Sequence, residues 1–163
     1  GDLAAVQSEY SLATRAPELG LVQACAELHV SLVAFSPVGR SMLTDHPVSQ
    51  AVAATLPFLG QNPRFQPEAY RANRALSDGF RRLAAEMAVP TAALAIAWAL
   101  HQGEMILPIP GTRSVRHFQE LLRGAHLTLS AEDLARIEAV LPKGWAHGDR
   151  YSPSQWAGIE RYC

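Results

Sequence analysis

Lysine is almost missing from this chain. Of 14 basic residues in 163, only Lys143 is a lysine, so chemistry that needs an amine must use that residue or another polypeptide. Cysteine is nearly as scarce. Cys25 and Cys163 cannot build a disulfide framework, and Cys25 falls on the apolar side of a predicted helix, so a reducing, cytoplasmic compartment is expected. There is no basic excess: the formal charge is -1, which argues against a general nucleic-acid partner. Long apolar runs are lacking too. The longest, AALAIAWAL from Ala92 to Leu100, is far too short to span a bilayer and reads as a buried helix, so no membrane partner is expected. GDLAAVQSEY at the start has neither a basic stretch nor a long apolar core, and no signal peptide is expected. The six histidines show no metal-ligand spacing, and no metal is assigned. No internal repeat is visible.

What is present is the composition of one soluble globular domain, 48% hydrophobic and 18% charged. LAAVQ (Leu3 to Gln7) is a short strand candidate. Pro17 suits a first helical turn, and Leu21, Ala24, Cys25 and Leu28 recur at helical spacing. SLVAFS (31–36) is an apolar strand without alternation, as expected when both faces are covered, and it ends in the breaker-rich SPVGR. From 41 to 67 no period is sustained, which predicts a long loop of the kind that often forms a lid. Leu76, Phe80, Leu83, Ala84 and Met87 then mark an amphipathic helix, and a second helix starts near Thr91 and stops by Gly103. Ile106 to Ile109 reads as a buried strand and Gly111 as a tight turn. Ser114 is the N-cap of a helix whose apolar side is Val115, Phe118, Leu122 and Ala125. A last helix has Ser130 as N-cap and Asp133 in place for a capping box. The tail 142–163 has no clear period.

Strands alternating with helices indicate an α/β fold of parallel units, with ligands at the C-terminal ends of the strands. Three loops should converge there: after Gln7, from Ser36 to Gly39, and from Pro110 to Ser114. The last combines a free helix N-terminus with Arg113 and Arg116, a pattern suited to an anion.

VQSEYSLATR from Val6, VAFSPVGRSMLT from Val33, PRFQPEAYRAN from Pro63, ALAIAWAL from Ala93 and ILPIPGTR from Ile106 occur in an order and spacing that resemble the aldo-keto reductase family. The resemblance extends over essentially the whole chain. It implies a partial (β/α)8 TIM barrel in one domain (1–163), made of the last three β/α units. It also implies NADPH-dependent reduction of aldehydes or ketones without a Rossmann domain. Carried over by position, Gln7 looks like the residue that meets the nicotinamide carboxamide, and Phe35 stands where an aromatic ring stacks on the nicotinamide. Ser36, Pro37, Val38 and Gly39 resemble the turn along the pyrophosphate. Gly111, Thr112 and Arg113 resemble the turn that receives the 2′-phosphate, with Arg116 beside it, and Glu120 matches the acidic residue beside the adenine. Two positions depart from the family pattern: Leu121 replaces the usual asparagine, and His117 stands where many members have arginine.

The larger departure concerns catalysis. The family's tetrad of aspartate, tyrosine, lysine and histidine comes from the first half of the barrel, and no segment here matches it. The chain is therefore expected to be a truncated aldo-keto reductase, with at best weak turnover of a small carbonyl substrate. Tyr10, His147 and Tyr151 are the candidates for a recruited proton donor. The alternatives are a nucleotide-binding module without catalysis and an oligomer-forming remnant. A barrel takes eight strands and about 250 residues, so three strands should leave open edges and an open face. Leu3, Ala5, Val33, Phe35, Ile106 and Pro108, or the alternate set, would meet water. Each large side chain so exposed costs roughly 1.5–3 kcal/mol, against a typical net stability of about 5–15 kcal/mol. Self-association through that face or those edges is expected, with a long-loop rearrangement as the competing escape. Trp98 reads as core, and Trp145 and Trp156 as pocket lining or subunit contact.

Overall fold

The computed structural model describes residues 3–157; Gly1, Asp2 and the end of the tail, with Cys163, lie outside them. Among the described residues a parallel sheet runs in the order β1 (Ala5–Glu9), β2 (Ser31–Phe35) and β3 (Ile106–Ile109). The helices are α1 (Leu21–Glu27), α2 (Gln50–Thr55), α3 (Pro67–Glu86), α4 (Thr91–His101), α5 (Val115–Ala125) and α6 (Ala131–Val140). No single helix among these residues is long and apolar enough to cross a membrane.

The register sets the two faces of the sheet. Gln7 pairs with Val33 and Val33 with Leu107; Glu9 pairs with Phe35 and Phe35 with Ile109. Side chains alternate along a strand, so these residues share one face, while Ser8, Leu32, Ala34 and Ile106 share the other and are buried beneath the helices. The expected water-facing set mixed the two. Ile106 is buried, whereas Leu107 and Ile109 are 49% and 47% exposed on the open face. β1 also lies two residues later than predicted, because Glu9 finds partners that hold it at the strand's end.

Helix α4 is buried from Thr91 through Ala99, and it packs with Tyr10, Leu32, Phe80 and Ile137 in the main core. Trp98 lies there, its ring 5.5 Å from that of Tyr10. Trp145 is also buried, its Nε1–H donating to Leu12 C=O (2.8 Å). The capping box forms: Ser130 Oγ accepts from Asp133 N–H (3.1 Å) and the Asp133 carboxylate from Ser130 N–H (2.9 Å).

Two expectations need correction. The segment 41–67 is not a bare loop. It holds α2 and two 3-10 turns, Leu59–Gln61 and Pro63–Phe65, and is pinned to the body. The Asp45 carboxylate caps α4, accepting from Thr91 N–H (3.2 Å) and Oγ1–H (2.6 Å), and Arg81 donates to Met42 C=O (2.9 Å) and Thr44 C=O (3.0 Å). Such ties depend on tertiary partners and leave no period in the sequence.

The inward side of α5 also differs. Leu121 and Gly124 are buried, whereas Val115, Phe118 and Leu122 are 76%, 56% and 47% exposed. Gly124 explains this: a Cβ there would stand 2.5 Å from Ala93 O and 2.8 Å from Ile96 Cβ. The glycine lets α5 approach α4 closely, and that contact overrides the stripe with the most apolar residues.

Candidate functional site

The C-terminal ends of the strands carry the charged and aromatic groups. At the end of β1, Glu9 is fully buried and grips Arg40, whose Nη1 and Nη2 donate to Oε1 and Oε2 at 2.9 and 2.7 Å. Thr14 Oγ1 donates to the same carboxylate (3.0 Å) while accepting from Arg64 Nη1 (2.7 Å). A buried carboxylate survives only when so compensated. Arg64 is held below the usual guanidinium range, chiefly by burial; Glu9 opposes that shift, and Arg40 and Arg150 add to it. Arg40 also lies 5.1 Å from the ring centres of Phe58 and Tyr151. One side chain thereby ties β1 to the 41–67 segment and to the tail.

β2 ends at Phe35, half-buried on the open face that also carries exposed Gln7. The turn after it closes through Gly39 N–H to Ser36 C=O (2.9 Å) and Leu43 N–H to Val38 C=O (3.1 Å). Ser36, Gly39, Arg40 and Ser41 all have positive φ (54, 57, 52 and 79°). Three of these carry side chains, and such strain persists only where surroundings fix it. Here the Arg40–Glu9 grip and the Ser41 Oγ bond from Val48 N–H (3.0 Å) do so. Pro37 is buried under the turn.

After β3, Gly111, Thr112 and Arg113 are exposed. Thr112 Oγ1 accepts from Ser114 N–H (3.2 Å), and Ser114 Oγ caps α5 by accepting from His117 N–H (3.4 Å). Arg113 enters no ion pair among the described residues. Arg116 is turned aside, with Nε 3.7 Å from Glu120 Oε1 and Nη2 3.2 Å from His117 Nε2.

Between these two turns lies a cleft of about 200 Å³. Of the residues singled out from sequence, it brings together Val38, Gly111, Thr112 and Glu120. Arg113 and Arg116 are not among its walls, and Gln7 and Phe35 lie on the sheet beyond it. Ser41, Thr44, Asp45 and His46 complete the opposite wall, with His117 and Leu121 at the α5 end. The first four belong to the supposed loop, where no spacing singled them out. Leu121, one of the two departures, is buried against Ala92 and Ile96, so an apolar residue there serves the α4–α5 contact.

The candidate proton donors do not converge. Tyr10 is fully buried and donates to Glu18 Oε1 (3.0 Å); burial, then the Glu18 charge and hydrogen bond, push its hydroxyl far above the ordinary phenol range. Lys143 contacts the other oxygen of that carboxylate (2.8 Å), so it neutralises Glu18 and does not activate the tyrosine. Tyr151 is buried as well, and its hydroxyl is pushed up by burial and by Glu9. A phenol stabilised in its neutral form by a carboxylate is a poor acid. His147 is exposed and held through its backbone, with N–H donating to Asn73 Oδ1 (2.7 Å).

The model of the aldo/keto reductase family matches residues 2–142. The chain is 36% identical over 149 residues to "Probable aldo-keto reductase 1" of Glycine max, covering 91% of this chain and 43% of that protein. It is 32% identical over 160 residues to the NADP(+) aldo-keto reductase yakc of Schizosaccharomyces pombe, covering 96% and 47%. The chain thus spans less than half the length of these curated relatives. Among solved structures, the glycerol dehydrogenase of Gluconobacter oxydans superposes with TM-score 0.72 at 20% identity, over 94% of this chain and 46% of that one. An aldo/keto reductase of Klebsiella pneumoniae, in complex with NADP and acetate, superposes with TM-score 0.62 at 21% identity, over 91% and 43%. Both likenesses are of fold.

Proposed function

Since the chain belongs to the aldo/keto reductase family, we propose that it supplies the nucleotide-holding part of a partial (β/α)8 barrel and takes NADPH across its β2 and β3 turns. The observation that carries this is the cleft where Val38, Gly111, Thr112 and Glu120 meet. Its walls hold two carboxylates, Asp45 and Glu120, and no arginine. A phosphate would be repelled inside, whereas a neutral adenine and ribose suit the mixed apolar and hydrogen-bonding lining. The 2′-phosphate belongs at the mouth, where the exposed Arg113 guanidinium and the first backbone N–H groups of α5 point outward. Arg116, paired with Glu120, is the weaker anion ligand. Phe35 offers an aromatic face on the open sheet and Gln7 an amide on the same face, in keeping with a nicotinamide and its carboxamide.

NADPH supplies a hydride to a carbonyl, and the protein's share is orientation and a proton. General-acid help is worth about 10²–10⁴-fold. Tyr10 and Tyr151 are bound to carboxylates and buried, which leaves exposed His147 as the candidate whose ring enters no hydrogen bond among the described residues. The chain alone is therefore a nucleotide holder with slow turnover of aldehydes or ketones at most. The burial of Tyr10 favours a second reading, nucleotide binding with no catalysis.

Fluorescence titration with NADPH tests the binding claim. Saturable binding weakened roughly 10- to 100-fold by Arg113→Ala, as for a charge-assisted contact, supports it; absence of saturation refutes it. NADPH oxidation with an activated aldehyde separates the two readings. Turnover above a protein-free control that falls in His147→Ala favours reductase activity, and none favours the binding module.

A further inference from the structure

We propose that the β3 flank of this chain receives the β1 edge of a second copy, head to tail and in parallel. The two edges of the sheet are chemically different. Leu32 N–H donates to Met105 C=O (2.8 Å), so Met105, Leu107 and Ile109 turn their backbone groups toward β2, while Ile106, Pro108 and Pro110 turn theirs outward. The Ile106 N–H is spent on Gly103 C=O (3.1 Å), and the two prolines have none. At these three positions the outer edge of β3 presents acceptors and no donor.

The edge of β1 is the reverse case. Ser31 N–H donates to Ala4 C=O (3.1 Å) and Tyr10 N–H to Phe35 C=O (3.3 Å), which turns Ala4, Val6, Ser8 and Tyr10 toward β2. Ala5 and Gln7, both exposed, therefore point outward with both N–H and C=O, while fully buried Glu9 closes the end of that edge. Two β3 edges cannot pair, since neither donates. A β1 edge can donate to the Ile106 and Pro108 carbonyls, and doing so continues the parallel order of the sheet.

Side chains decide between that arrangement and a β1–β1 contact. Beside β3 runs a groove of about 380 Å³, lined by Ile96, Leu107, Pro108, Pro110, Phe118 and Leu122 among others, all apolar. A β1–β1 contact leaves it in water. A second copy on β3 carries Ala4 and Val6, on the helix side of its own β1, into the groove. It also brings its Gln7 beside Leu107 on the open face. An uncharged groove offers nothing to a nucleic acid or an acidic peptide. This proposal rests on the edge pattern and the groove, and is independent of the nucleotide.

Within one chain β1 and β3 are separated by β2, roughly 9.5 Å apart, beyond the reach of a disulfide. Cysteine pairs therefore report only contacts between copies. In a Cys163→Ser background, Gln7→Cys with Leu107→Cys and Ala5→Cys with Leu107→Cys cover the two registers that keep both side chains on the open face. After mild oxidation, one of these doubles should give linked dimers or longer chains on a non-reducing gel, with none of the three single variants linking. Light scattering of the unmodified chain should show a mass above the monomer that Phe118→Asp lowers. A monomer at every concentration overturns the proposal, and so does linkage by any single variant, which would mark a like-to-like contact.

Discussion

Helices α4 and α5 are joined by one short strand, but α4 is apolar all round and α5 is amphipathic with five polar or charged residues, and they meet opposite fates. From Thr91 to Ala99 every residue of α4 is buried, while α5 presents Val115, Phe118 and Leu122 to water and buries Leu121 and Gly124. The same division runs through the sheet: Leu32, Ala34 and Ile106 lie under helices and Leu107 and Ile109 do not. Apolar residues on the first side hold the chain together. On the second side they stand in water, next to the turns that form the cleft.

Substitutions should separate the two sides. The largest contrast is between two phenylalanines. Phe80→Ala, in the core, should cost about 3–5 kcal/mol in urea unfolding. Phe118→Ala, on the open flank, should change folding by no more than about 0.5 kcal/mol at dilution. Equal losses would mean that the flank is packed in solution. Next comes the rim: Glu9→Gln removes a fully buried anion from half-buried Arg40 and Arg64 and should cost about 3–5 kcal/mol, as when one partner of a buried pair is lost. A smaller effect belongs to the α6 cap, where Ser130→Ala should cost about 1 kcal/mol.

How much of this division was legible in the sequence depends on how local its causes are. Strand β3, the caps at Ser114 and Ser130 and the amphipathic α3 follow from periodicity and capping chemistry over a few residues. The two turns, Ser36 to Gly39 and Gly111 to Arg113, follow from the breakers at the strand ends, whereas the part each would take in holding a nucleotide came from the family resemblance alone. What stayed hidden was tertiary. Asp45 caps a helix 46 residues away, Arg40 reaches back to Glu9, and Gly124 rotates α5 by admitting Ala93 O. Tyr10 looked like an available phenol until Glu18 and Trp98 enclosed it. The cleft wall from Ser41 to His46 was missed because its residues are placed by those same long-range ties.

The smallest expected effect is a pH dependence on the packed side. At Glu18 burial would raise the carboxyl pKa, but hydrogen bonds from Arg15, Lys143 and Tyr10 outweigh it and hold it low. A lowered carboxylate stabilises the fold fully above its unfolded pKa, and that contribution is lost as pH falls through the folded value. Urea midpoints should therefore decline on the acid side of the ordinary glutamate range. Glu18→Gln should flatten that decline while leaving the open flank's exposure unchanged.

The most direct measurement is backbone hydrogen exchange with and without NADPH. Slower exchange at residues 36–46 and 111–121, extending to the strand positions around Gln7 and Phe35, and reduced in Arg113→Ala, is the expected result. Unchanged exchange at saturating NADPH, or protection confined to the α3–α6 side, would contradict the assignment of the two turns as a nucleotide site.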